Sequence, residues 1–151
     1  MNMIYEAAGT VYAASAQSHI AHRFMLHTPV PSLQLEFSYE PKLLDDETMA
    51  QQLITRAMNR YGYTQQHAGD WRKYAPLQNL LTLSLDDPER HRGQAHRMDP
   101  VQRHVLTASE ASPGFWPGDH PAGLWTVTLS LHAVVTEQCH YKLRIMGGDV
   151  K

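Results

Sequence analysis

Ten histidines in a chain of 151 residues raise metal-assisted chemistry first, because imidazole is the commonest protein ligand for transition metals. Spacing decides whether the count means anything. His19 and His22 lie three apart with His27 beyond, in a stretch that reads as a strand, where positions i and i+3 project to opposite faces. His91 and His96 share a charged, irregular stretch with Asp86, Asp87 and Asp99, an oxygen- and nitrogen-rich set with no recognised ligand interval. The metal candidates are therefore His91, His96, Asp86 and Asp87, with a solvated loop as the competing reading. His132 and His140 are expected on the outer face of one C-terminal hairpin, near enough to meet. Two ligands fall short of the four, or three plus water, that hold zinc.

Other chemistry finds less support. There is no G-x-S-x-G elbow, and Cys139 alternates inward among apolar neighbours, where a thiol acts as a small hydrophobe. Gly114, Gly118 and Gly123 interleave with Pro113, Pro117 and Pro121, a pattern of turns and not of a phosphate cradle. The adjacent pairs Asp45–Asp46 and Asp86–Asp87 have local duties at a helix start and a turn, which leaves little for acid–base catalysis. Phe115, Trp116 and Trp125 could form an aromatic platform. Trp125 opens a buried face and reads as a core plug, so Trp116, in a loop, is the better surface contact. With Phe115, Arg92 and His91 it makes up the candidate ligand- or partner-contact set. No cofactor is expected.

Thirteen Lys plus Arg against fifteen Asp plus Glu give a formal charge of -2, which speaks against counterion-driven binding to nucleic acid. No run approaches the roughly 18 apolar residues of a membrane helix. Glu6 stands where a secretory signal wants a basic residue, although Ala14-Ser15-Ala16 imitates a cleavage site, and the lone cysteine fits a reducing compartment. The expectation is a soluble, cytoplasmic protein with one domain over residues 1–151.

Such residues need a scaffold, and most of the chain has a period of two. Strands are expected at Gly9–Ala14, from Ala21 to Leu26, at Leu33, Leu35 and Phe37, at Leu81, Leu83 and Leu85, and from Val101 to Thr107. The strongest alternation sends Trp125, Val127, Leu129, Leu131, Ala133 and Val135 inward, then resumes with Cys139, Tyr141, Leu143 and Ile145, which reads as a long antiparallel hairpin. From Leu44 to Gly62 the period turns helical. Met49, Leu53, Ile54, Ala57, Met58 and Tyr61 form an apolar stripe, Asp45 or Asp46 suits the N-cap and Gly62 the stop. Tyr63 to Pro76, with Trp71 and Tyr74, reads as a loop packed over something apolar. The predicted fold is mainly β: an antiparallel, jelly-roll-like β-sandwich with one inserted amphipathic helix.

Three segments together resemble a known family. They are Asn79 to Pro88 with Arg92-Gly93 after it, Ala111 to Gly118, and Pro121 to Val127 running into Tyr141-Lys142-Leu143. With Phe37-Ser38-Tyr39-Glu40-Pro41 they look like the N-terminal β-sandwich domain that precedes the catalytic barrel in PHP-superfamily metallohydrolases of the carbaryl-hydrolase type. The family holds its metals in the barrel with H-x-H motifs, and this sequence contains no H-x-H. The resemblance thus implies the accessory domain without the enzyme, with a separately encoded PHP-type metallohydrolase, or a second copy of the chain, as partner. Two other functions stay open: a carbohydrate or small-ligand module using Trp116, and a small metal-dependent phosphoesterase or hydrolase using His91, His96 and nearby acids.

Overall fold

The computed structural model describes residues 1–62 and 71–149. Eight strands fall among them: β1 (Asn2–Tyr12), β2 (Ser18–Leu26), β3 (Ser32–Glu40), β4 (Leu80–Asp86), β5 (His91–Ala95), β6 (Val101–Thr107), β7 (Gly123–Ala133) and β8 (Gln138–Gly147). They form two four-stranded antiparallel sheets, ordered β1-β8-β3-β6 and β2-β7-β4-β5, packed as a sandwich. This connectivity is that of a jelly roll.

Alternation on each strand supplies the core. Leu81, Leu83 and Leu85 register with Leu131, Leu129 and Val127 in one sheet, while Leu35 and Phe37 register with Ile145 and Leu143 in the other, and all are buried. The β4 and β7 side chains lie side by side on one inner face, opposed by the inner face of the second sheet.

Three sequence expectations need correction. The first strand spans Asn2–Tyr12 rather than Gly9–Ala14, because β1 pairs with β8 along its whole length. The stretch after His91 is not irregular throughout, since β5 pairs with β4 there. Most consequentially, β7 and β8 are not a hairpin. They are consecutive in sequence but lie in opposite sheets, joined by an arch over residues 134–137. A hairpin and an arch show the same alternation, because inner faces of opposed sheets point at one core just as neighbouring strands do. Asn79, fully buried, fixes the arch. Its Oδ1 accepts from the amides of Val135 (2.7 Å) and Thr136 (3.4 Å), and its Nδ2 donates to Thr136 Oγ1 and to the Pro41 carbonyl, both at 2.8 Å.

The helix α1 (Glu47–Arg60) is inserted between β3 and β4. Asp46 is the N-cap, its carboxylate accepting from the Met49 amide at 2.9 Å, with Glu47 in the first turn and Arg60 in the last, as the helix dipole favours. Gly62 follows at φ +80°, a conformation glycine adopts without strain. Residues 63–70, the first part of the expected loop, lie outside the described residues. Trp71–Tyr74 form a 3-10 turn, and Trp71 packs with Leu44, Ala50, Ile54 and Met58 in a second, smaller apolar cluster.

Candidate functional site

The residues singled out by sequence sort into a buried knot and an exposed row. Arg92 lies on β5 with no exposed surface, so its charge requires partners. Its Nε and Nη2 donate to the Trp116 carbonyl at 3.2 and 3.1 Å, Nη2 also to the Gly118 carbonyl at 3.3 Å, and Nη1 to the Asp119 carbonyl at 2.8 Å. Nη1 is also paired with Asp87 Oδ2 at 3.3 Å. Asp87 Oδ1 accepts from the Glu89 and Arg90 amides, both at 2.7 Å. Burial alone would raise the Asp87 carboxyl, but those amides and the guanidinium together hold it below its ordinary range.

The knot draws a strap of chain against the sheet. The Trp116 amide donates to the Arg92 carbonyl at 3.0 Å and the Gln94 amide to the Gly114 carbonyl at 3.0 Å, so residues 114–116 run alongside β5. The two backbones approach so closely that a Cβ on Gly93 (φ +123°) would land on the Gly114 carbonyl oxygen. Phe115 turns inward, 4.8 Å from the His104 ring. Trp116, its neighbour in the alternation, turns outward and is 55% exposed. Beside it the His91 ring stands edge-on at 5.8 Å, and His91 Nδ1 is hydrogen-bonded to Asp86 Oδ1 at 2.7 Å.

The structure thus brings together Trp116, His91 and Asp86, and places Arg92 and Phe115 beneath them as buried supports. Those two cannot serve as surface contacts. Nor do the four metal candidates converge. Asp87 is committed to the knot, and His96, five residues along an extended chain from His91, sits beside His132 at 5.8 Å. Five extended residues span about 16 Å. Among the described residues no group of three or more His, Cys, Asp or Glu could hold a metal ion.

Most of the remaining histidines have structural partners. His132, bonded to Thr82 at 2.8 Å, and His140, bonded to Thr10 at 2.9 Å, sit on different sheets, so the expected pair does not form. His19 and His22 do face opposite ways: His19 meets Ser130, while His22 bonds the Tyr5 and Tyr141 hydroxyls at 2.8 and 3.0 Å. Burial lowers the His22 pKa and, with Tyr5, raises that of Tyr141. Cys139 is fully buried, and burial pushes its thiol up.

One further site escaped the sequence reading. The described residues cover only half of the apolar stripe of α1. Ala50, Ile54 and Met58 are buried, whereas Met49, Leu53, Ala57 and Tyr61 line an open groove of about 580 Å³. Its other wall is the arch, through Val134, Val135, Thr136 and Glu137, with Ala13, Tyr74 and Leu77 at the ends. Among the described residues, Glu137 is the only acidic or basic side chain in that lining. Periodicity announces that the stripe seeks burial; it cannot tell how much of it this chain covers. No protein-family model matches the chain, and no curated protein matches it.

Proposed function

We propose that this chain is a noncatalytic interaction domain that receives an apolar segment of a protein partner in the groove between α1 and the arch. By the resemblance of its motifs, that partner is a separately encoded PHP-type metallohydrolase. The observation that carries the reading is the half-covered stripe: Met49, Leu53, Ala57 and Tyr61 present one continuous apolar wall to solvent. Contiguous exposed apolar surface of this kind is what partner recognition desolvates. The outer face of the β1-β8-β3-β6 sheet offers the opposite, a row of Glu6, Arg144, Glu36 and Arg103 in alternating sign across four strands. The knot points the same way, since Arg92 and Asp87, conspicuous in the resembling motifs, are consumed in holding loops together. On this reading the bond-breaking groups belong to the partner.

The test mixes the purified chain with a purified PHP-type metallohydrolase that lacks a sandwich domain of its own, and measures association by calorimetry and sedimentation. Met49→Glu and Ala57→Glu place charge on the exposed half of α1, leave the buried half intact, and should each weaken the complex at least tenfold. No association, or association indifferent to both substitutions, overturns the reading. A homodimer that closes over the same groove assigns it to a second copy and ends the metallohydrolase proposal.

A further inference from the structure

A second surface, independent of the groove, has the makings of a ligand site. Trp116 is a large, exposed aromatic on a strap whose backbone is fixed by a buried arginine and two flanking glycines, Gly114 at φ +92° and Gly118 at φ +148°. An aromatic side chain held in place before its ligand arrives loses little freedom on binding, which is the property of an anchor residue. Beside it, His91 and Asp86 are each about two-fifths exposed, at 42% and 43% of their side-chain surface. With Nδ1 of His91 and Oδ1 of Asp86 engaged with each other, Asp86 Oδ2 and His91 Nε2 have no hydrogen-bond partner among the described residues.

Strand register extends the site. Asp86 pairs with His91 on one side and with Thr126 on the other, and the next outward row is Gln94, Ser84 and Thr128. At about 4.8 Å between strands, Gln94, Ser84, Thr126 and Thr128 form a flat array of neutral donors and acceptors next to the indole, with the exposed Arg23 beyond Thr126 at the sheet's edge. The charges nearest the indole largely offset one another, the Asp86 carboxylate being shared with the His91 imidazole and Arg90 lying 3.8 Å from Asp87, so the surface beside Trp116 favours a neutral ligand. A polyhydroxylated ring with an apolar C–H face fits better, because the face can lie on the indole while the hydroxyls reach the carboxylate, imidazole and hydroxyl groups.

We infer that the Trp116–His91–Asp86 row on the outer face of the β2-β7-β4-β5 sheet is a carbohydrate-binding site for a hexopyranose unit of an oligosaccharide. The probes are cellohexaose, mannohexaose, chitohexaose and maltohexaose, titrated against the intact chain while its tryptophan fluorescence is followed. At least one hexopyranose oligomer should perturb the emission saturably. Trp116→Ala should weaken that binding at least tenfold, Asp86→Ala severalfold, and Trp116→Phe should restore part of it. Met49→Glu, in the groove, should leave it unchanged. Thermal melts of each variant verify that the fold is intact. Failure of all four probes to bind the unaltered chain overturns the inference, as does binding that survives Trp116→Ala. If no sugar binds but Trp116→Ala weakens a complex with a protein, the row is a protein contact and the carbohydrate reading falls.

Discussion

The Arg92 guanidinium lies 5.5 Å from the centre of the Trp125 ring, and neither side chain has any exposed surface. A cation seated on an indole in the dry interior is attracted by the ring's electron-rich face. Here it also ties together three chain segments, since Trp125 Nε1 donates to the Pro121 carbonyl at 3.0 Å while Arg92 gathers the carbonyls of Trp116, Gly118 and Asp119. Asp87, Arg92, the 116–121 segment and Trp125 therefore meet at one structural point.

Removing that cation should be severe. Arg92→Met leaves the Asp87 carboxylate with only the exposed Arg90, 3.8 Å away, as a charge partner and strips three carbonyls of their donor, and breaking a buried pair costs about 3–5 kcal/mol. Chemical denaturation should show a loss of that order, together with a more mobile Trp116 by fluorescence anisotropy. A midpoint close to the unaltered chain would mean the knot contributes little.

The two tryptophans flanking the knot should behave oppositely. Trp125→Ala empties a large core volume and should cost about 3–5 kcal/mol. Trp116→Ala removes an exposed ring and should change stability by less than about 0.5 kcal/mol. Paired thermal melts check both.

Acid should weaken the fold in two stages. His104 is buried beside Phe115, and burial, aided by the charge of Arg97, pushes its pKa from 6.5 down to about 4. Between those values the unfolded chain takes up a proton that the folded chain refuses. The stabilisation is thus complete above about 6.5 and declines toward pH 4, by about 3 kcal/mol in all. His120 and His22, lowered chiefly by burial, act in the same direction. Asp87 follows at lower pH: its depressed carboxyl stabilises the fold above its unfolded value of 3.8, and that contribution disappears as pH drops further. Urea unfolding of His104→Leu across pH 7 to 4.5 should give a flatter profile than the unaltered chain. Equal slopes would contradict the assignment.

The arch offers a fourth test. Asn79→Ala leaves the Val135 and Thr136 amides and the Thr136 hydroxyl short of a partner. Each unsatisfied buried group costs about 1–3 kcal/mol, so a loss of at least about 2 kcal/mol is expected in denaturant titration. Amide exchange should quicken first at residues 134–137.

What could be read from the sequence follows from what period-two patterning encodes. Inward positions were legible for β3, β4, β7 and β8, because burying one face forces strict alternation, whereas β6 was legible only as a strand, its inward face carrying Gln102 and His104 beside Leu106. The sheet to which each strand belongs was not, since alternation is blind to it; the arch differs from a hairpin in that β7 pairs with β2 and β4 while β8 pairs with β1 and β3. β5 was hidden by Arg92, which a pattern reading takes for a solvent-facing residue although its charge is satisfied indoors. The exposure of Trp116 was legible from its proline- and glycine-rich loop, but the inward turn of Phe115 depends on the strap pairing with β5. The groove was illegible in principle, because it is made by two elements far apart in sequence.

The pairing of β1 with β8, in register from Asn2↔Gly147 to Tyr12↔Gln138, has a consequence for how the chain is made. β8 sits between β1 and β3, so the last of these eight strands to leave a ribosome joins the first to the third. Until it emerges, β1 has no hydrogen-bonding neighbour in its sheet and its amides and carbonyls must be borne by water or a chaperone. The β1-β8-β3-β6 sheet therefore cannot close until β8 has emerged, and a chain lacking β8 would leave β1 without a neighbour in its sheet.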